Sequence, residues 1–189
     1  MRVIAGKYRS RPLRSLHGMD LRPTADRLRE TLFNVLTAGN PAGLAGTTWL
    51  DLYAGTGAVG IEALSRDAGM VYFVESSAPA VKLIAQNLHS LGAGTGFEVL
   101  ELDVPRALRK LDAQNVTADF VFLDPPYRTE QAYRAALEAL SESRLLRPQG
   151  LVIAEHQKKF DPGELFSTLY RYRKLEQGDA ALSFYRKDQ

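Results

Sequence analysis

A chain of 189 residues with 45% hydrophobic and 24% charged side chains fits one globular domain that can bury a core without crosslinks. It has no cysteine, which excludes disulfide scaffolds, thiolate zinc sites, cysteine-ligated iron–sulfur clusters and base methylation through a cysteine nucleophile. The formal net charge is only +2, yet residues 1–30 hold eight basic side chains against three acidic ones and the remainder is net acidic, as expected of a basic arm that meets a polyanion such as nucleic acid.

The arm comes first. RVIAGKYRSRPLRSL, residues 2–16, sets Val3, Ile4, Leu13 and Leu16 among basic residues and is punctuated by Gly6 and Pro12, which reads as one or two short strands or an extended segment. A helix follows, with Thr24 as its cap, an apolar face of Leu28, Leu32, Val35 and Leu36, and Gly39 at its end. Residues 39–46 form a loop. From Trp49 onward short apolar runs alternate with helical patterns: strand TWLDLY, a helix from Val59, strand MVYFVE, helix 78–91, strand FEVLEL and a helix near 104–111. The rhythm continues with strand DFVFLD, helix 130–140 and strand GLVIAE. Such alternation specifies a parallel sheet covered by helices on both faces. Residues 165–187 then carry two β-rich runs around Gln177, Gly178 and Asp179, which predicts a terminal antiparallel hairpin and a seven-stranded sheet. One domain spans 1–189, with the arm at 1–23 and the α/β core at 24–189.

Chemistry in open parallel sheets gathers where strands end. DLYAGTGAVG, residues 51–60, spells GxGxxG with Gly55, Gly57 and Gly60, so backbone amides and a helix N-terminus can approach a ligand closely. Glu75 ends the next strand and suits ribose hydroxyls. Asp51 beside the glycines repels a pyrophosphate and attracts a cation, which favours the sulfonium of S-adenosylmethionine over a nicotinamide dinucleotide. Asp103 ends the third strand, either as an acceptor for an adenine amino group or as a helix N-cap. FLDPPY, residues 122–127, is the most informative. Its prolines stiffen the chain and present the carbonyls of Asp124 and Pro125 beside Tyr127, forming a receptor for a planar amine. Acceptors that grip the N–H groups of a base amine can rehybridise its nitrogen and aim the lone pair at a methyl donor.

His17, His89 and His156 share no ligand spacing, and no metal site is expected. HExxH, GxSxG and Walker patterns are missing from the sequence. On the terminal hairpin, Arg171, Arg173 and Lys174 alternate with Tyr170 and Tyr172; solvated strand charge is the simpler reading, contact with RNA the other.

The glycine loop, VE at 74–75 and FLDPPY together resemble Rossmann-like class I S-adenosylmethionine-dependent methyltransferases that modify exocyclic amines of bases. RVIAGKYRSRPL and RPTADRLRETLFN are similar to the RsmD family, which methylates the N2 amine of a guanine in bacterial 16S ribosomal RNA. The resemblance implies that Asp51, Gly55 and Gly57 line the methionine side of the cofactor, Glu75 the ribose and Asp103 the adenine. Asp124, Pro125, Pro126 and Tyr127 would form the amine site. Arg2, Lys7, Arg9, Arg11, Arg14 and Arg22 would grip phosphates of 16S rRNA in the small ribosomal subunit or an assembly intermediate, and Arg22, Pro23 and Thr24 would close over the cofactor or the RNA. Val104 and Pro105 depart from the small or polar residues expected after Asp103. No coiled-coil seam is present and no run is long enough to span a membrane, so a cytoplasmic monomer is expected. The rival readings are an adenine-N6 methyltransferase acting on DNA or RNA, a noncatalytic RNA-binding assembly factor, and a nicotinamide dehydrogenase.

Overall fold

Five parallel strands form one side of the sheet in a computed structural model that describes residues 1–15, 23–126 and 130–188. Strands β1 (Thr48–Leu52), β2 (Met70–Glu75) and β3 (Phe97–Glu101) step outward to one edge, and β4 (Ala118–Leu123) and β5 (Leu146–Gln157) lie on the other side of β1. Between β1 and β4 the direction of winding reverses, which opens a crevice at their carboxyl ends.

All seven expected strands are present, and an eighth extends the far edge. Strand β6 (Leu165–Phe166) pairs with β7 (Leu169–Gln177), which pairs with β8 (Ala180–Lys187), giving the order β3-β2-β1-β4-β5-β8-β7-β6. The run read as one strand from Leu165 is broken because Ser167 turns the chain with a φ of 47°. Strand β5 also starts earlier than GLVIAE. Leu146 pairs with Ala118 ahead of an irregularity in the β4–β5 register, and Leu145 and Leu146 are both buried.

Helices α1 (Pro23–Leu36), α2 (Ala58–Ser65) and α3 (Ala78–Leu91) cover one face, packing with Trp49, Val71, Phe73, Phe122 and Ile153. Helices α4 (Val104–Ala113) and α5 (Glu130–Glu142) cover the other, against Leu50, Leu52, Val74, Leu123 and Ala154. In α4 the buried positions Val104, Ala107, Leu108 and Leu111 fall at i, i+3, i+4 and i+7, one stripe of a 3.6-residue period. Pro105 sits in its first turn, where the missing amide removes no helical hydrogen bond. That accounts for the unexpected Val-Pro pair.

Two expectations for α1 change. The helix includes Pro23 and Thr24, so Thr24 occupies a helical position and not the flanking N-cap position. The sealed face runs through Leu28, Arg29, Leu32 and Phe33, and Val35 and Leu36 are only partly buried.

The arm is a small hairpin docked on α2 and α3. Arg2 and Pro12 form an antiparallel bridge, and Val3 and Leu13 reach the core. Glu62 of α2, itself fully buried, accepts from the amides of Ile4 at 2.8 Å and Ala5 at 3.0 Å. Ser65 accepts from Tyr8, and Asn87 of α3 accepts from Arg14, at 2.9 and 2.8 Å. Gly6 lies so close to the Ser65 carbonyl that an added Cβ would stand 1.8 Å from its oxygen, a contact only glycine allows. No described helix is long and apolar enough to cross a membrane.

Candidate active site

Side chains alternate across a strand, and this alternation brings four carboxylates to one place. Asp51 follows Trp49 on β1, Glu75 follows Phe73 on β2, Asp124 follows Phe122 beyond β4, and Glu155 follows Ile153 on β5. Those hydrophobic predecessors all pack into the core beneath α1, α2 and α3. The register sets Leu52 beside Val74 and Leu123, and Leu123 beside Ala154. The acids therefore form a row, Glu75, Asp51, Asp124 and Glu155, on four adjacent strands at the carboxyl edge.

Asp51 is 2% exposed, and its Oδ2 accepts from the Gly60 amide at 2.8 Å. Gly57, the residue before α2, adopts a left-handed conformation and gives no side-chain cap; Asp51 caps the helix from the preceding strand instead. Burial raises its carboxyl from 3.8 to about 7, partly opposed by the Gly60 bond and reinforced by Glu75. Burial first, then Glu155, then Asp51 hold Asp124 well above the usual carboxylate range. Glu155 is raised to about 7 by burial, against the opposing charge of Arg29.

The glycine loop is built for close approach. Gly55 and Gly57 have φ of 56° and 75°. A Cβ at Gly55 would meet only the Tyr53 carbonyl at 3.9 Å, whereas one at Gly60 would strike Phe73 at 2.4 Å. Gly55 thus leaves room for a ligand, and Gly60 allows α2 to pack against β2. Glu75 Oε2 accepts from the Gly55 amide at 2.9 Å and Oε1 from Ser77 at 2.8 Å, so this carboxylate also braces the loop. Asp103 caps α4, accepting from the Arg106 amide at 2.8 Å, which is the cap alternative of the two read from the sequence. Pro125 is buried and Pro126 exposed.

Arg2, Lys7, Arg9, Arg11 and Arg14 are exposed on the docked hairpin. Arg11 donates to the Ser90 carbonyl at 2.7 Å. Tyr127, Arg22 and His17 lie outside the described residues. His89 is exposed. His156 is sealed, with its ring nitrogens 2.9 Å from the Gln157 carbonyl and from Ser183, and burial lowers its pKa, a structural role. Arg171 is held by Asp161 and Glu164 at 2.6 and 3.0 Å, and Arg186 lies over the rings of Tyr170 and Tyr172. Among the described residues no group of acids and histidines is arranged to hold a metal ion.

Three residues at the site carry no motif. Glu155 closes the acidic row; its signal was an acid ending strand GLVIAE. Tyr53 leaves β1 with φ of 61° and is half-buried, its pKa raised by burial and by Asp103. Arg29 of α1 is 5% exposed and donates to the Arg2 carbonyl at 2.6 Å and to Asp26 at 3.0 Å. Its Nε lies 3.9 Å from Glu62.

A family profile described as conserved hypothetical protein 95 matches residues 1–186. The Ribosomal RNA small subunit methyltransferase D of Haemophilus influenzae is 36% identical over 159 residues, 84% of this chain and 79% of that protein. Its Escherichia coli namesake, strain K12, is 30% identical over 188 residues, covering 100% and 90%. A hypothetical protein of Thermus thermophilus superposes with a TM-score of 0.81 at 29% identity, covering 98% of this chain and 99% of its own. At 21% identity, a Thermus thermophilus 16S rRNA N2 methyltransferase, RsmC, solved in complex with AdoMet and guanosine, covers 92% of this chain and 45% of its own with a TM-score of 0.72, which shows the shared fold. The chain is thus a member of the conserved hypothetical protein 95 family, the RsmD family of Rossmann-like methyltransferases.

Proposed function

We propose that this protein transfers a methyl group from S-adenosylmethionine to the N2 amine of a guanine in 16S ribosomal RNA. The observation that carries the reading is the acidic row at the switch point, beside a glycine with open space. A row of carboxylates repels a pyrophosphate and holds a sulfonium. Asp51, Gly55, Gly57 and Glu75 would hold the cofactor, with Asp103 and Tyr53 toward its adenine. When bound, that cofactor supplies a methyl group already activated on a cationic sulfur.

The remaining work is positioning. Asp124 and the backbone carbonyls of the DPPY segment accept the N–H groups of the amine, directing the nitrogen lone pair toward the methyl donor, and Tyr127 stacks on the base. The target leaves its own stack to enter the pocket. The exposed basic residues of the hairpin contact phosphates, which fix position without reading sequence. The relatives named for the small ribosomal subunit support the RNA. The related fold carrying guanosine is compatible with the base.

Incubation of the protein and labelled S-adenosylmethionine with small subunits, stripped ribosomal RNA and DNA tests the substrate. Label is expected in the small-subunit RNA and lost with Asp124→Ala. Transfer to DNA alone, or none to any substrate while the cofactor binds, rejects the reading.

A further inference from the structure

Glu155 lies outside the DPPY motif, yet the sheet places it beside the amine receptor. Leu123 of β4 pairs with Ala154 of β5, so Asp124, just past β4, and Glu155, within β5, stand at one level and, by alternation, on one face. Each is only half-buried. Among the described residues no donor hydrogen-bonds either carboxylate. Their oxygens are not sealed, since the buried side-chain atom left without a partner among those residues is Arg29 Nε. Both carboxylates therefore keep acceptor oxygens open at the carboxyl edge of the sheet. Arg29 is the charge that acts on Glu155 and favours its ionised form.

A purine held by its exocyclic amine at Asp124 can present ring N1, which flanks that amine in both guanine and adenine, at the adjacent position. In guanine N1 carries a hydrogen beside the N2 amine. In adenine N1 carries a lone pair beside the N6 amine. An ionised carboxylate next to the amine receptor accepts from the first and repels the second, so the discrimination is read at pH 8 or above. We infer that Glu155 is the residue that selects guanine, accepting the N1–H of the flipped base while Asp124 and its neighbouring carbonyls hold the amine. This deepens the guanine-N2 reading and rests on it.

The test uses RNA carrying guanine, 2-aminopurine or adenine at the methylated position, as a fragment or reconstituted subunit, whichever accepts methyl groups from the wild type. 2-Aminopurine keeps the N2 amine but has a bare N1. Wild type is expected to prefer guanine over 2-aminopurine in kcat/KM by about 100-fold or more, because a site built to accept a hydrogen bond rejects an analogue lacking the donor. Glu155→Gln can turn its amide N–H toward the bare N1 and should bring the ratio within about tenfold; Glu155→Ala should also lower it. Each ratio is measured on one preparation, so the fraction of folded protein cancels. Equal use of guanine and 2-aminopurine by the wild type, or an unaltered ratio in both variants, overturns the role of Glu155. Wild type that methylates the adenine RNA and leaves guanine untouched overturns the guanine reading itself.

Discussion

Replacing Asp51 by Asn should strengthen the fold while weakening the site. The carboxyl is 2% exposed and raised from 3.8 to about 7. A carboxyl whose folded pKa is raised destabilises the native state as pH climbs from the unfolded to the folded value. Above pH 7 the full difference applies, about 4 kcal/mol as an upper limit. Asn keeps the acceptor for Gly60 and removes the charge, but its amide hydrogens need partners, so a net gain of about 2 kcal/mol is expected at pH 8. For a chain of this size that is a rise in Tm of about 4–8 °C. Near pH 4.5, where only the unfolded carboxyl has begun to ionise, the removable penalty shrinks to about 1 kcal/mol. Urea and thermal unfolding at both pH values read the effect, and calorimetry should show S-adenosylmethionine binding at least about tenfold weaker, since the proposed cofactor site loses one carboxylate. A variant less stable than wild type at pH 8 would refute the idea that Asp51 is a buried charge held for a ligand.

Further expectations follow from the same acids and from the arm. Because the carboxyls of Asp51 and Glu155 are each raised to about 7, negative charge builds at these two positions as pH rises from 6 to 8. The preference for S-adenosylmethionine over neutral S-adenosylhomocysteine should grow by about fivefold over that range, and calorimetry showing a flat or falling preference would contradict the electrostatic account. Glu62→Ala removes the acceptor of two arm amides and the partner of Arg66 at 2.8 Å. Breaking such a buried pair should cost about 3 kcal/mol, read by urea unfolding; a loss below about 1 kcal/mol would mean that the hairpin is not anchored there. Neutralising Arg9 and Arg14 together should weaken RNA binding and reduce the slope of log K against log salt by about 1–2, with cofactor affinity unaltered; an unaltered slope would make the arm purely structural.

Much of this architecture could be read from the chain. The alternating runs from Trp49 onward specify the parallel sheet because a right-handed crossover leaves few other arrangements, and the glycine loop and DPPY mark two strand ends directly. What escaped the reading depends on contacts distant in sequence. Arg29 looks like an exposed basic residue until Arg2, Asp26 and Glu62 surround it, and the arm reads as short strands or an extended segment with no docking partner in view, because its anchors, Glu62, Ser65 and Asn87, lie more than 50 residues away. Strand β6 is too short for alternation to register. Asp103 suits both a cap and a ligand, and the Arg106 amide at 2.8 Å shows the first role without removing the second. Glu155 was visible as a strand-end acid, but its pairing with Asp124 follows from the register of β4 and β5, which no local pattern contains.

The central claim, that the acidic row presents a guanine amine to a sulfonium-borne methyl group, is tested most directly by the identity of the product. Small-subunit RNA methylated by the purified protein is digested to nucleosides and analysed by mass spectrometry. N2-methylguanosine, lost with Asp124→Ala, is the expected result; N6-methyladenosine, or a guanosine methylated on a ring nitrogen, would contradict it.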